Sequence, residues 1–476
     1  MNSKITKPLD KYAALKHFIN QETEFEIIDD TIFCKICSKR FEYIPREGVK
    51  PLKAHQKTQM HVKGLRLNQS QTLLTIERTP QREYTEFDED LLRAFTAANI
   101  PLFRLEIPAF RNFLEKYTKK NIKSESCYRK HMLQNVYKSQ RQLQFDILRD
   151  KKICLLFDET TDACGRYILN ILIRECSRTM ASQSYLVKSV ELTNTNSINI
   201  NQEILSILNM LYKNDIIYSN LILLISDAAP YAVKVGKMLK LLFPKIKHVT
   251  CICHMLHRFV EKIRSLCPES NFVSSELKRL LLKNKSNQLL FTEHTNLSIP
   301  SFPVITRWGT WLSFMQFIVE NYNKIKSFLN ILSEKVEINL LIERLEREKL
   351  FEELEMLKNH FFLISTISQL ESSSLSTENQ IEILKEAISK TAINSTTAQI
   401  LNRLILKNCD LSFFFNFNSI TCHEEDKEYS FVPLSTADVE RSFSGLKFLM
   451  DDKRRHLKVE NLEALLALYF NDRNMT

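Results

Sequence analysis

Short apolar runs rich in β-branched residues recur between residues 152 and 253, and they predict the strands of one sheet. The first three runs are joined by loops of roughly ten residues, which is typical of hairpins. Each of the last two follows a segment with helical spacing of apolar positions, which predicts β-α-β units. The runs are 152–157, 167–174, 185–192, 220–226 and 248–253, and the helical segments are 203–213 and 232–243. This order predicts a mixed sheet with helices packed against it.

Helical periodicity dominates on both sides of the predicted sheet. Apolar residues recur at helical spacing in 87–148, again through most of 254–406, and in the last fifty residues. We therefore expect a helical insertion to interrupt the sheet domain. The predicted parts are an N-terminal unit (1–66), a polar linker (67–86), a helical unit (87–148), the first part of the sheet domain (149–266), the insertion (267–430) and the closing helices (431–476).

The composition is that of a soluble globular protein, with 44% hydrophobic and 26% charged residues. Only 6 glycines in 476 residues argue against a glycine-rich nucleotide-binding fold, and we expect no small-molecule cofactor. The N-terminus lacks the apolar core of a signal peptide, and no run of 18 apolar residues predicts a membrane span. We therefore expect an intracellular protein with no membrane partner. The net charge of +10 suits a polyanion such as nucleic acid.

One tight cysteine pair stands out among eleven scattered cysteines, a usage typical of a reducing compartment. Cys34 and Cys37 are followed by His55 and His61, and two thiolates and two imidazoles at this spacing can close a tetrahedral zinc site. So short a unit would need the metal to fold. The alternative is that the cysteines are core thiols and the histidine pair is incidental. The lysines expected to face DNA phosphates are Lys50, Lys53, Lys57 and Lys63.

Three carboxylates are candidates for a second metal site. Asp158 ends the first apolar run and Asp227 ends the fourth, and in a ribonuclease-H-like sheet these two strands would lie parallel and adjacent. Glu440 falls on a predicted helix that could pack beside them. Crowded carboxylates repel one another unless divalent cations lie between them, and Mg²⁺ or Mn²⁺ suits oxygen ligands. On pattern alone, helix caps or solvated charges explain the same residues.

The order of several motifs resembles the hAT transposases over roughly residues 87–474. These motifs are DETT (158–161), SDAAPY (226–231), Cys251 and His254 with Leu256, TRWGTW (306–311), and ADVERSFS (437–444) with a downstream KRRHL. The long spacing of the cysteine and histidine pairs resembles BED-type zinc fingers. Roughly the first 130 residues are also similar to the CGG-triplet-repeat-binding protein.

The resemblance implies an α/β fold in which a ribonuclease-H-like mixed sheet is interrupted by an all-α insertion and preceded by a small zinc finger and a helical unit. It implies that the helical unit and the C-terminal segment serve DNA binding and oligomerisation. It also assigns roles to individual residues. Those roles are catalytic metal binding by Asp158, Asp227 and Glu440, support by Cys251, His254 and Arg441, and handling of an extruded base by Trp308 after Arg307.

Each of these roles has a structural alternative. Cys251 and His254 could be buried beneath the sheet edge, and Trp308 and Trp311 could anchor the insertion. Arg307 and Arg441 could form salt bridges with acidic residues that have a structural role. The basic residues 453–455 could form a solvated face or a nuclear signal rather than a DNA contact.

The sequence therefore predicts a nuclear protein that binds double-stranded DNA, forms a homo-oligomer, carries structural zinc, and uses Mg²⁺ or Mn²⁺ for DNA strand cleavage and transfer. The alternative is a domesticated, non-catalytic regulator of transcription that keeps the same fold. A metabolic hydrolase is disfavoured, because such an enzyme would not be expected to carry a zinc finger and because the sequence has no recognisable nucleophile motif.

Overall fold

The computed structural model describes residues 15, 17–19, 24–28, 31–37, 39–62, 84–304, 308–332, 336–391, 395–450 and 457–473. The chain divides into two compact units, Met1–Tyr84 and Thr85–Thr476. In the first unit, an antiparallel sheet of β1 (Phe25–Ile28), β2 (Thr31–Cys34) and β3 (Lys39–Phe41) is followed by helix α1 (Lys50–Gln56). Its core among the described residues is a small cluster: Leu15, Phe18, Phe25, Ile32, Cys34 and Leu52.

The second unit begins with helices, as the periodicity predicts. Helix α2 (Glu86–Ala97) begins at a capping box in which the side chains of Thr85 and Asp88 bind each other's backbone N–H groups. Short helical turns at Leu102–Glu106, Glu125–Cys127 and Tyr128–Met132 connect α2, α3 (Pro108–Thr118) and α4 (Leu133–Leu148).

A five-stranded mixed sheet follows. Its strands are β4 (Ile153–Thr161), β5 (Tyr167–Glu175), β6 (Ser184–Leu192), β7 (Leu221–Ser226) and β8 (Lys247–Thr250), in the order β6-β5-β4-β7-β8. The first three strands pair antiparallel, whereas β4 with β7 and β7 with β8 pair parallel. This topology confirms the predicted mixed, ribonuclease-H-like sheet.

Two strand ends differ from the prediction. Asp158 does not end its strand, because the antiparallel partner β5 keeps β4 extended as far as Thr161, beyond the end of the parallel pairing with β7. The last strand stops at Thr250 rather than continuing through Cys253. Cys251 instead starts a helix, since its sulfur accepts the backbone N–H of His254 and so caps the first turn.

Helices cover both faces of the sheet. Helices α5 (Ser197–Leu211) and α6 (Pro230–Leu242) follow the β-α-β pattern, and α7 (Ile252–Ser265) leaves β8. The insertion consists of α8 (Pro268–Lys283), α9 (Lys285–Thr295), α10 (Thr310–Glu320), α11 (Tyr322–Ile331), α12 (Val336–Leu345), α13 (Glu348–Lys358), α14 (Phe362–Leu370), α15 (Thr377–Lys390), α16 (Thr396–Leu406), α17 (Leu411–Phe415) and the 3₁₀ turn Glu424–Tyr429. Helices α18 (Ala437–Leu449) and α19 (Val459–Arg473) close the unit. Within the described part of the chain, no helix is both long and apolar enough to cross a bilayer.

The two faces of the sheet differ in chemistry. Side chains alternate along a strand, so Ile153, Leu155 and Phe157 of β4 point to one face, where they pack in the apolar core with α5 and α6. The other face carries polar groups. There the buried Asn170 of β5 donates to Ser442 Oγ of α18 at 2.7 Å, which ties the closing helix to the sheet.

The edge strand β6 is covered by the last helix. The buried side chain of Asn471 on α19 accepts the Leu186 N–H at 2.9 Å and donates to the Leu186 carbonyl at 3.1 Å. At Leu186 an amide side chain thus takes the place of a neighbouring strand, which blocks strand pairing at this position of the edge.

We expect Asn471→Ala to lower the free energy of unfolding by about 2–3 kcal/mol, because both backbone groups of Leu186 would lose their partner in a buried setting. Asn461→Ala on the same helix is the matched control, since it makes the same change in helix propensity. Denaturant unfolding of the two variants measures the difference. Equal midpoints would show that the Asn471 pairing contributes nothing.

Candidate metal centres

Four side chains of the first unit converge on one point. Cys34 ends β2, Cys37 lies in the following turn, His55 lies on the buried side of α1, and His61 lies in the helical turn of residues 59–62. The Nδ1 atom of His61 lies 3.5 Å from each sulfur and 3.3 Å from His55 Nε2. Bonds of about 2.3 Å to sulfur and about 2.0 Å to nitrogen give a tetrahedron with N–S edges of about 3.5 Å and N–N edges of about 3.3 Å. The cluster has the dimensions of a zinc site.

Glu24 supports this cluster and was not predicted from the sequence. Its Oε2 atom accepts a hydrogen bond from His61 Nε2 at 2.9 Å, which leaves His61 Nδ1 free to bind a metal. Burial, with His61 beside it, lowers the pKa of His55, so that ring is neutral at neutral pH. Burial and the neighbouring Cys34 raise the pKa of Cys37, and a bound cation would reverse that shift. No spacing rule singles out an acid ten residues before the first cysteine.

Three of the four predicted DNA-contacting lysines lie on α1 or directly after it. Lys50, Lys53 and Lys57 are exposed, and their spacing of three and four residues places them on one side of the helix. The other side buries Leu52 and His55. Lys63, Arg307 and the basic residues 453–455 lie outside the described residues.

The second cluster lies where α18 crosses the polar face of the sheet. Asp158 comes from β4, Glu440 from the first turn of α18, and His254 from the first turn of α7. Their ligand atoms all lie within 4.8 Å of one another. Asp227 follows β7 and is close enough for its charge to raise the pKa of Asp158. Two of the three predicted triad carboxylates are thus in the tight group, with a histidine as its third member and Asp227 beside it.

Burial dominates the electrostatics of this cluster. It raises the pKa of Asp158 well above the ordinary value, and the other carboxylates raise it further while His254 opposes them. Burial also raises the pKa of Asp227 and of Glu440. For His254, burial lowers the pKa, but the Cys251 sulfur and the carboxylates outweigh it and bring the pKa to about 9. Three carboxyl groups thus share this cluster with one imidazole.

Glu159 is an acidic group that the sequence prediction missed. It follows Asp158 in β4 and therefore points to the opposite face of the sheet. Burial and the charge of Asp227 raise its pKa to about 7, and no group among the described residues donates a hydrogen bond to its buried Oε2 atom. The second acid of the DETT motif is the signal that could have drawn attention to it.

Cys251 and Trp308 flank His254. The buried Cys251 sulfur accepts the backbone N–H of His254 at 3.4 Å and that of Thr436 at 3.2 Å, so it joins α7 to the start of α18. The Trp308 ring meets the His254 ring edge-on, with centroids 4.8 Å apart. This contact brings the insertion to the rim of the acidic cluster.

The remaining motif residues make contacts within the protein. Trp311 is buried, and its Nε1 donates to Ser274 Oγ at 3.1 Å, which anchors α10 on α8. Arg441 donates to the Asp438 carboxylate and, at 3.1 Å, to the Glu371 carbonyl.

A family model described as a domain of unknown function, DUF659, matches residues 124–280. This third of the chain holds α4, the whole five-stranded sheet, α7 and most of α8, and it includes Asp158, Asp227 and His254. DUF659 is associated with hAT transposases. The match supports a protein related to that family. No curated protein matches the chain.

We expect one zinc ion per chain in the full-length protein, and we expect Cys37→Ser to lose it because the tetrahedron would lack a thiolate. Glu24→Gln should keep the zinc but weaken its binding by about tenfold, since His61 would lose its carboxylate partner. Elemental analysis and competition with a chelating dye measure both effects. Cys409→Ser, at an exposed cysteine of the other unit, is the control. Undiminished zinc in Cys37→Ser would refute the site.

The raised pKa of Glu159 predicts a pH-dependent gain in stability for Glu159→Gln. A carboxyl whose pKa is about 7 in the folded protein and 4.5 ordinarily favours the protonated form, so the wild type loses stability as the pH rises through this window. The variant should therefore be more stable by on the order of 2 kcal/mol at pH 8 and equal to wild type below about pH 4.5. Chemical unfolding in EDTA measures the difference, with the exposed Glu191→Gln as control. A gain that does not change with pH would contradict the assignment.

Proposed function

We propose that this chain is a hAT-type transposase, or a protein derived from one, that binds double-stranded DNA and cleaves and transfers DNA strands with Mg²⁺ or Mn²⁺. The observation that carries the proposal is the grouping of Asp158, Glu440 and His254 beside Asp227 on the polar face of a ribonuclease-H-like sheet. The match of the sheet region to DUF659 supports the same family.

The acidic cluster fits a divalent cation. Its carboxylate oxygens are the ligands that Mg²⁺ and Mn²⁺ prefer. Burial raises the pKa of Asp158, Asp227 and Glu440, so each carboxylate is unfavourable as an isolated charge and would gain from a cation. When bound, the metal would activate water and stabilise the leaving oxygen of a phosphodiester.

Side chains of the protein itself would hold the cations and orient the DNA. Asp158 and Asp227 from the sheet and Glu440 from α18 would hold the cations from two sides. His254, with a pKa of about 9, carries a positive charge at neutral pH and would face phosphate oxygens. Trp308, edge-on to His254 at the rim of the cluster, would support an extruded base, with Arg307 preceding it and Arg441 fixing the helix that bears Glu440.

The first unit would supply the grip on DNA. A zinc ion would fix α1 of the finger (1–66), so that Lys50, Lys53 and Lys57 face the phosphates of the duplex. A linker (67–86) and the helical unit (87–148) would follow, with oligomerisation through the C-terminal segment (431–476). The resemblance of the finger to the BED type and a nuclear location belong to the same proposal.

Cleavage of the DNA that flanks this gene in its own genome, assayed with the purified protein and Mg²⁺ or Mn²⁺, tests the proposal. We expect Asp158→Asn and Glu440→Gln each to lower the rate at least 100-fold while retaining DNA binding, and the double variant to be no worse than either one, because both act on one metal site. Glu191→Gln is the exposed carboxylate control.

Other outcomes are equally informative. If the wild type binds this DNA but never cuts it with either metal, the chain is a non-catalytic DNA-binding regulator. If cutting persists in Glu440→Gln, the third metal-binding carboxylate is a different residue.

A further inference from the structure

The end of helix α14 in the insertion is held by side chains of the sheet domain. Past the last turn of this helix, successive carbonyl groups would be left without an intrahelical partner. The Leu370 carbonyl accepts from Ser435 Oγ at 3.3 Å, and the Glu371 carbonyl accepts from Arg441 Nη1 at 3.1 Å. The two donors to this helix end, Ser435 and Arg441, lie before and after Glu440 in the sequence.

A third donor comes from the sheet itself. Arg174 lies near the end of β5, and its Nη2 donates to the Ser373 carbonyl at 2.9 Å. The arginine side chain is 1% exposed. Arg174 and Arg441 together place two positive charges at the C-terminal end of α14, which is the end where the helix dipole favours cations.

Both arginines converge on Asp438. Arg441 donates to Asp438 Oδ1, and Arg174 Nη1 lies 3.8 Å from Asp438 Oδ2, which also accepts from Ser184 Oγ of β6. A buried guanidinium needs a carboxylate nearby. Among the described residues, Asp438 is the acidic residue that forms an ion pair with Arg174. One carboxylate therefore ties together β5, β6, α18 and, through the arginines, the end of α14.

We propose that Asp438 is a positioning residue that couples the orientation of the helical insertion to Glu440. The two side chains lie in the same first turn of α18, about 200° apart around the helix axis. This turn therefore presents Glu440 to the acidic cluster and Asp438 to the two arginines that hold the end of α14, a set of contacts called the joint below. A shift of the insertion that moves the end of α14 pulls on this turn and displaces Glu440. The effect on metal binding by Glu440 rests on the proposed function, whereas the contacts of the joint do not depend on it.

Hydrogen exchange of the full-length protein tests the joint without any catalysis. In Asp438→Asn we expect amides of residues 362–376 and 437–442 to exchange together, at least about fivefold faster than in the wild type, because Arg174 and Arg441, which hold the end of α14, lose the carboxylate that fixes them. Glu460→Gln, an exposed acid on α19, is the control. Faster exchange in α18 alone would overturn the coupling.

A double variant separates positioning from mere stability. Replacing a buried ion pair by apolar side chains of similar size usually restores stability, whereas removing one partner does not. We therefore expect Arg174→Met with Asp438→Leu to recover part of the unfolding midpoint that Asp438→Asn loses, since Ser184 and Arg441 still lack the carboxylate. Its affinity for Mn²⁺, measured by electron paramagnetic resonance, should stay about tenfold weaker than that of the wild type, because the orientation of Glu440 is no longer fixed.

Recovery of Mn²⁺ affinity together with the midpoint would show that Asp438 is only structural and would overturn the positioning role. A wild-type chain that binds no Mn²⁺ would instead defeat the proposed function. In that case the exchange experiment still decides whether the insertion and α18 are joined through Asp438.

Discussion

The alternation of side chains along β4 determines where the chemistry of this protein lies. Ile153, Leu155 and Phe157 point into the apolar core, so Asp158 points to the other face. A shift of one residue would put the carboxylate among the hydrocarbon side chains of the apolar core. The burial of those three side chains therefore fixes the orientation of Asp158, and α18 is the helix that packs on that face.

The apolar core on one face of the five-stranded sheet offsets the free-energy cost of the buried carboxylates on the other face. Each carboxylate of the cluster has a pKa raised by burial, and each unit of such a shift corresponds to about 1.4 kcal/mol. A fully buried Leu, Ile or Phe side chain contributes about 1.5–3 kcal/mol, so a few of them offset the cluster. The first unit lacks this reserve, because its described core is a small cluster that includes Cys34 itself. There the side chains that could hold zinc overlap with the core, since Cys34 belongs to both.

Sequence patterns were sufficient for the five strands of the second unit, their pairing directions and the cysteine–histidine cluster, because each depends on local spacing or on the order of neighbouring elements. They failed where geometry depends on distant partners. Asp158 lies inside its strand because β5 extends past β7, and His254 reaches the cluster because Cys251 begins a helix. Glu24 and Asp438 were missed for the same reason, since their partners lie 37 and 264 residues away.

The position of the insertion also constrains how the acidic cluster forms. Asp158 and Glu440 lie on opposite sides of the insertion in sequence, so their approach closes a loop of more than 250 residues. Closing a loop of this length costs conformational entropy, although the cost grows only slowly with loop length. Helix α18 bonds to the sheet through Ser442 and to the end of α14 through Arg441, so the sheet and the insertion both hold the helix that carries Glu440. The contacts of α18 with the sheet and with the insertion therefore help to offset both this entropic cost and the repulsion among the carboxylates.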